Sequence, residues 1–166
     1  MKILKLIKTI FKSKKIFHPL SPKKIFFFSN ETFELFQDCF EKKQTFVYDR
    51  QFKKIYLRVL IKLFIKFGFK INHKEYFFEI LRQVNPKFII SIIDNDDLIW
   101  QIKKKFKNIK VIIIQNGFRY KNNYDPYIEN LKKQIDYESD IFFVFNKNIG
   151  NYYKNFFQSE IITSGS

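Results

Sequence analysis

Residues 87–117 read KFIISIIDNDDLIWQIKKKFKNIKVIIIQNG, and this stretch decides the fold. Lys87 to Ile93 is almost wholly apolar and rich in isoleucine, the composition of a strand covered on both faces. Asp94 to Asp97 supplies a cap and an acidic first turn, after which Leu98 to Phe106 continues as a helix. Ile109 to Ile114 is the next strand, closed by the turn residues Gln115, Asn116 and Gly117. A strand, a helix and a second strand at this spacing imply a crossover connection and parallel pairing.

The same alternation extends in both directions. Upstream, Ile25 to Ser29 reads as a buried first strand, Thr32 to Glu41 as a helix and Thr45 to Tyr48 as a second strand. A helical segment from Ile55 ends at Gly68, and Lys74 to Gln83 forms a helix that stops before Asn85-Pro86, where proline disfavours a helical residue preceding it. Downstream come a polar loop through Asn123, a helix around Tyr127 to Gln134 and a strand from Ile141 to Phe145. A helix from Asn148 to Phe157 and a last strand from Glu160 to Thr163 complete the pattern. The expectation is an α/β fold with an open, doubly wound, Rossmann-like parallel sheet.

The chain of 166 residues is one domain's worth, with 46% hydrophobic and 28% charged residues, enough apolar surface for a packed core. Its formal charge is +15, yet Phe, Ile, Lys, Asn and Tyr supply 98 of the 166 residues and alanine is absent. Those are the residues that AT-rich codons favour, so the lysine excess is weak evidence for a polyanionic partner. The charge is concentrated at the start, where eight lysines precede the first acid, Glu31. Residues 1–22 therefore read as a basic leader, amphipathic over Met1 to Phe17 and suited either to an anionic membrane surface or to a solvated tail, with the domain proper at 23–166.

No stretch is apolar enough to span a bilayer, because Arg58, Lys62 and Lys66 interrupt the longest candidate. Those cations line one helix face, either a solvated stripe or a membrane-facing one. Cys39 excludes a disulfide framework and is read as a buried residue on a helix; His18 and His73 are read as packing or surface residues, and no metal site is expected. No glycine-rich phosphate loop is encoded.

In open parallel sheets ligands bind beyond the carboxyl ends of the strands. Three loops qualify: Asp94-Asn95-Asp96-Asp97, Gln115-Asn116-Gly117-Phe118-Arg119 and Ser164-Gly165-Ser166. The aspartates are helix caps on one reading; on the other, Asp94 or Asp96 is a base or an acceptor for sugar hydroxyls. Arg119 is one of only four arginines, and its planar fork suits phosphate or carboxylate.

At these residues a family resemblance emerges. Ile90 to Tyr120, ISIIDNDDLIWQIKKKFKNIKVIIIQNGFRY, resembles bacterial surface carbohydrate biosynthesis proteins, a glycosyltransferase-like group with "DN" after one strand and "QNG-x-R" after the next. The downstream YESDIFFVFNKNIGNYY and the final IITSGS are similar too. The group is in turn similar to glycerophosphotransferases and to two-domain GT-B glycosyltransferases. The resemblance implies the N-terminal, acceptor-side half of such an enzyme, active on cell-surface polysaccharide or lipopolysaccharide, with a nucleotide-sugar donor held by a C-terminal domain beyond Ser166. No cofactor is expected in this chain, and residues 1–166 alone are expected to be inactive.

The implied substrate-binding set is Asn95, Asp96, Gln115, Asn116, Gly117, Arg119, Gly165 and Ser166, with Asp94 as candidate base. Related glycerophosphotransferases carry a His-Gly where Asn116-Gly117 stands, and an amide cannot take a proton at neutral pH, which moves the base to Asp94. The partners implied are a carbohydrate or lipid-linked acceptor and the missing domain; the basic leader and the Arg58, Lys62 and Lys66 face add an anionic membrane surface, so the expected location is the cytoplasm, peripheral on the inner face of the cytoplasmic membrane. Two other classes remain. A basic nucleic-acid-binding module is disfavoured by aromatics that fall within apolar runs and by the lack of any recognition motif. A non-catalytic partner domain would complete its sheet against another chain.

Overall fold

The structure is a computed structural model, and it describes residues 11–117 and 137–165. The first ten residues of the expected leader, the expected helix at Tyr127 to Gln134, Arg119 and Ser166 lie outside the described residues.

Six strands form one wholly parallel sheet: β2 (Ile25–Phe27), β3 (Thr45–Val47), β5 (Phe88–Ser91), β6 (Lys110–Ile114), β7 (Tyr137–Val144) and β8 (Phe157–Thr163). Their order is β3-β2-β5-β6-β7-β8, so the chain starts inside the sheet, steps outward once, then crosses back and proceeds the other way. This is a doubly wound, Rossmann-like α/β fold, and its order reverses between β2 and β5. A second, two-stranded parallel ladder pairs β1 (Lys14–Ile16) with β4 (Lys54–Tyr56).

Alternate residues of each strand serve the two faces, as the pleat requires. Phe26, Phe28, Ile89, Val111, Ile113, Phe142 and Val144 enter the larger core. It is covered by α2 (Leu57–Phe67), α3 (His73–Val84), α4 (Asp97–Trp100), α5 (Ile102–Lys105) and α6 (Lys147–Tyr153). Ile25, Phe27 and Ile90 face the other side, under Phe33 and Phe36 of α1 (Asn30–Phe36). Phe77 is fully buried and meets Phe26 and Phe28 edge-on at 6.0 and 5.4 Å; removing such a ring costs roughly 3–5 kcal/mol.

Asparagine and serine set the helix starts. Ser29, Asn72 and Asn146 each accept a hydrogen bond from a backbone N–H in the first turn, at 3.1, 2.9 and 3.0 Å. Helix α3 ends at Asn85, whose φ of 45° is the left-handed cap that Pro86 then prevents from continuing. Gly68 ends α2 with φ of 57°.

Four sequence expectations are corrected. Lys14–Ile16, read as part of an amphipathic helix, is a strand, because β4 offers it a parallel partner. The stretch from Ile55 begins as strand β4 before turning helical at Leu57. Strand β7 starts four residues before Ile141: its polar residues find partners, Ser139 with Ser159 at 2.7 Å, and Asp140 with the Val111 N–H at 2.7 Å and the Lys103 ammonium at 3.0 Å. Cys39 is exposed on a short 3-10 turn rather than buried on a helix.

Candidate functional site

In open parallel sheets the ligand crevice lies beyond the carboxyl ends of the strands where the order reverses, here between β2 and β5, and the chain delivers a cluster of polar side chains to that place. After β2, Ser29 caps α1. Its hydroxyl lies 3.0 Å from that of Thr32, and the Thr32 hydroxyl accepts the Ile92 N–H at 3.3 Å from the loop after β5. The two strands flanking the crevice are thereby laced together. Glu31, in the first turn of α1, has its carboxyl held below its ordinary value by its own backbone N–H first and the Ser29 hydroxyl second.

After β3 come Tyr48, Asp49 and Arg50. Asp49 folds the loop on itself, accepting the N–H groups of Gln51 and Lys54 at 3.1 and 2.7 Å. That fold sends Arg50 across the crevice. Its guanidinium donates to the Asp96 carboxylate and lies 5.1 Å from the centre of the Phe28 ring. Tyr48 is buried, and its hydroxyl is 2.7 Å from His73 Nε2, with the rings nearly parallel.

Burial, with Tyr76 and Asp96 nearby, holds the Tyr48 phenol well above its ordinary value. Burial also pushes His73 below its own, against the opposing pull of Asp96. At neutral pH, therefore, Tyr48 donates its proton to an uncharged imidazole. Beside this pair a cavity of about 210 Å³ opens, lined by Asn30, Tyr48, Asp49, Lys53, Tyr56 and Tyr76 among others.

The expected site residues are divided between scaffold and rim. Asp94 is 1% exposed, and its carbonyl accepts the Trp100 indole N–H at 2.7 Å. Asp96 is the N-cap of α4, taking the Leu98 N–H at 2.9 Å with one oxygen and Arg50 with the other. Asp97 accepts the Tyr137 hydroxyl, whose pKa burial and that carboxylate both raise. Asn95 is exposed between them.

Gln115 is buried and clamps its own loop, donating to Gly117 O at 2.9 Å and accepting the Phe145 N–H at 3.2 Å. Asn116 is exposed beside it. Gly165 leaves β8 so close to Phe145 that a Cβ would sit 2.6 Å from its carbonyl oxygen. The structure thus brings Asp94, Asn95 and Asp96 together with Arg50 at the crevice, and sets Gln115, Asn116 and Gly117 at the end of the adjacent strand β6. Gly165 belongs to the far edge, at the end of β8.

Sequence reading missed Tyr48, Arg50 and His73. Their signal was faint: an arginine two residues beyond a predicted strand, and a histidine at the start of a predicted helix. Among the described residues, no group of three or more His, Cys, Asp or Glu side chains could hold a metal ion.

Fold and crevice together define a doubly wound α/β domain with a polar, arginine-crossed rim at its switch point. Residues 112–166, the last third of the chain, match a family model described as "putative O-antigen biosynthesis protein". The match supports surface carbohydrate biosynthesis and does not specify sugar transfer. It takes in Gln115, Asn116, Gly117, Arg119, Gly165 and Ser166, and begins downstream of Asp94 to Asp96. No curated protein and no solved structure matches the chain.

Proposed function

We propose that the crevice between β2 and β5 is the acceptor-binding face of a sugar-transferring domain in surface carbohydrate biosynthesis. One observation carries the reading: a small cavity lined by Asn30, Tyr48, Asp49, Tyr56 and Tyr76 lies at the end of β3, and the next residue after Asp49, Arg50, reaches Asp96 at the switch point beside it. Its volume of about 210 Å³ lies below the ~300 Å³ at which drug-sized pockets begin, which suits a single sugar residue. The half-buried Tyr56 covers the apolar side of a sugar ring, while Asn30 and Asp49 offer partners for its hydroxyls.

In this reading Asn95 and Asn116 orient the acceptor from the exposed rim, and Asp94 is the candidate base. Because Asp94 is buried, the loop must open for it to reach a hydroxyl. The reaction joins an acceptor oxygen to the anomeric carbon of an activated sugar as the nucleotide diphosphate departs. Donor binding belongs to a second domain, with Arg119 assisting the departing diphosphate.

The test is saturation-transfer NMR of residues 1–166 with soluble bacterial surface saccharides and, separately, with nucleotide sugars. Saccharide binding that weakens in Asn95→Ala and Lys53→Ala supports the reading. Binding of nucleotide sugars alone, or sugar transfer by residues 1–166 without another domain, would overturn it.

A further inference from the structure

The helix α2 has two apolar faces, and only one is used. Val59 and Leu63 are buried against the core, 1% and 2% exposed. Ile61, Phe64 and Ile65 point the other way and are 58%, 47% and 80% exposed. Residues four apart stack on one helix face, so Ile61 and Ile65 make a continuous ridge with Phe64 beside it. Arg58, Lys62 and Lys66 flank this ridge, all exposed, and Leu57–Phe67 contains no acid. Lys62 pairs with Glu79 on α3 at 2.6 Å; only 4% of the Glu79 side chain is exposed, so it adds little negative surface.

The small ladder places a second apolar residue beside the helix. Ile16 lies opposite Tyr56, so Phe17, 69% exposed, leaves β1 next to the first residue of α2. Lys14 and Lys15 belong to the same strand.

We infer that this corner, the ridge of Ile61, Phe64 and Ile65 with Phe17 and the cations around it, docks on an anionic lipid bilayer. Apolar side chains enter the boundary of headgroups and acyl chains while lysine and arginine meet lipid phosphates, the division of labour of an interfacial helix. Among the described residues, no helix is long and apolar enough to cross a membrane, so the helix lies on the surface. Charge disfavours a second copy as the occupant, since pairing two such faces would bring two sets of cations, Arg58 and Lys66 among them, close together with no acid on either helix. Nucleic acid fits less well, because Ile61 and Ile65 at the centre of the ridge give bases no ring to stack on and only Phe17 and Phe64 at its side do. The inference rests on α2 and the β1–β4 ladder, and is independent of the reading of the crevice.

The experiment is co-sedimentation of the full chain with vesicles of phosphatidylcholine containing 30% phosphatidylglycerol, compared with phosphatidylcholine alone, at low and high salt. Binding is expected only to the anionic vesicles and to weaken with salt. Ile61→Asp with Ile65→Asp should reduce partitioning at least tenfold, and Arg58→Gln roughly fivefold. Both positions are exposed, so the thermal midpoint of the double variant should match the parent, which separates lost docking from lost folding. Absence of wild-type binding would overturn the proposal. So would undiminished binding of the double variant, which would assign the attraction to the basic leader. Binding to a soluble acidic protein in place of vesicles would overturn it as well.

Discussion

Replacing Asp96 separates two contributions that the structure joins in one side chain. One carboxylate oxygen caps α4 through the Leu98 N–H, and the other holds Arg50. Asparagine caps as well as aspartate, so Asp96→Asn keeps the first and loses the charge of the second, whereas Asp96→Ala loses both. The pair is neither a surface pair nor a buried one: 17% of the Asp96 side chain and 31% of the Arg50 side chain are exposed. Surface pairs contribute about 0.2–1 kcal/mol and broken buried pairs cost about 3–5, so a value near 1–2 kcal/mol follows for this one after discounting for solvent. The cap adds about 1 kcal/mol. Asp96→Asn should thus cost about 1–2 kcal/mol and Asp96→Ala about 2–3, or midpoint shifts of about 2–4 °C per kcal/mol in a chain of this size. The assay is urea unfolding followed by the fluorescence of Trp100, the single tryptophan, which is fully buried and bonded to the same loop. A cycle with Arg50→Ala should show a coupling near 1–2 kcal/mol. Equal stability of the two Asp96 variants would refute the cap, and zero coupling would refute the bridge.

Other consequences follow from the same geometry. Asp140→Ala removes the partner of the Val111 N–H and the carboxylate partner of Lys103, which keeps the Lys107 and Ile109 carbonyls; with 10% and 30% of the two side chains exposed, a loss of about 2–3 kcal/mol is expected in the same unfolding assay, and a loss under 1 would count against the bonding described. His73 has a folded-state pKa below its ordinary 6.5, so the unfolded chain takes up the proton first. Stability from this group is complete above about pH 6.5 and falls as pH drops through that value toward the folded pKa; His73→Asn should flatten this part of the urea-midpoint profile between pH 7.5 and 5.5. The Glu79 carboxyl is raised by burial but lowered further by Lys62, Gln83 and Arg82, with a net downward shift. Its stabilisation is present above about pH 4.5 and lost as pH falls through the lower folded value, a slope that Glu79→Gln should remove.

The succession of the central strands along the chain was legible because their apolar runs are nearly uninterrupted. Residues 87–93 and 109–114 carry isoleucine at four of seven and four of six positions, the apolar richness of a strand covered on both faces. The helix starts were legible for the same kind of local reason, since Asp96 stands where a cap is needed. The boundaries of β7 and β8 were not, because Ser139, Asp140 and Ser159 look like loop residues until their partners on other segments are known. Nor was the β1–β4 ladder, whose only support is a pairing between segments 40 residues apart. Cys39 was misread for a related reason: the helix that would have buried it stops at Phe36 and gives way to a 3-10 turn.

The candidate site shows the same division in sharper form. Sequence order points to the loops after β5 and β6, since each follows a conspicuous strand. It cannot show that β2 is the neighbour of β5, and so cannot show that the loops after β2 and β3 share the crevice. Once that adjacency is known, Arg50 ceases to be an isolated cation after a short strand. It becomes the group that crosses from one side of the switch point to the other, held by Asp96 and lying against Phe28. An arginine already satisfied by a carboxylate is a poor anion trap but a good gate. A ligand that draws Asp96 away would free a guanidinium within the crevice, and one that competes for Arg50 would free a carboxylate for a hydroxyl. On the proposed reading the rim would exchange one internal ion pair for two external contacts, which suits a ligand carrying both hydroxyl and anionic groups. It follows that Arg50→Lys, which keeps the charge but not the planar fork, should weaken saccharide binding more than it lowers stability; parallel losses in the two measurements would make Arg50 a strut alone.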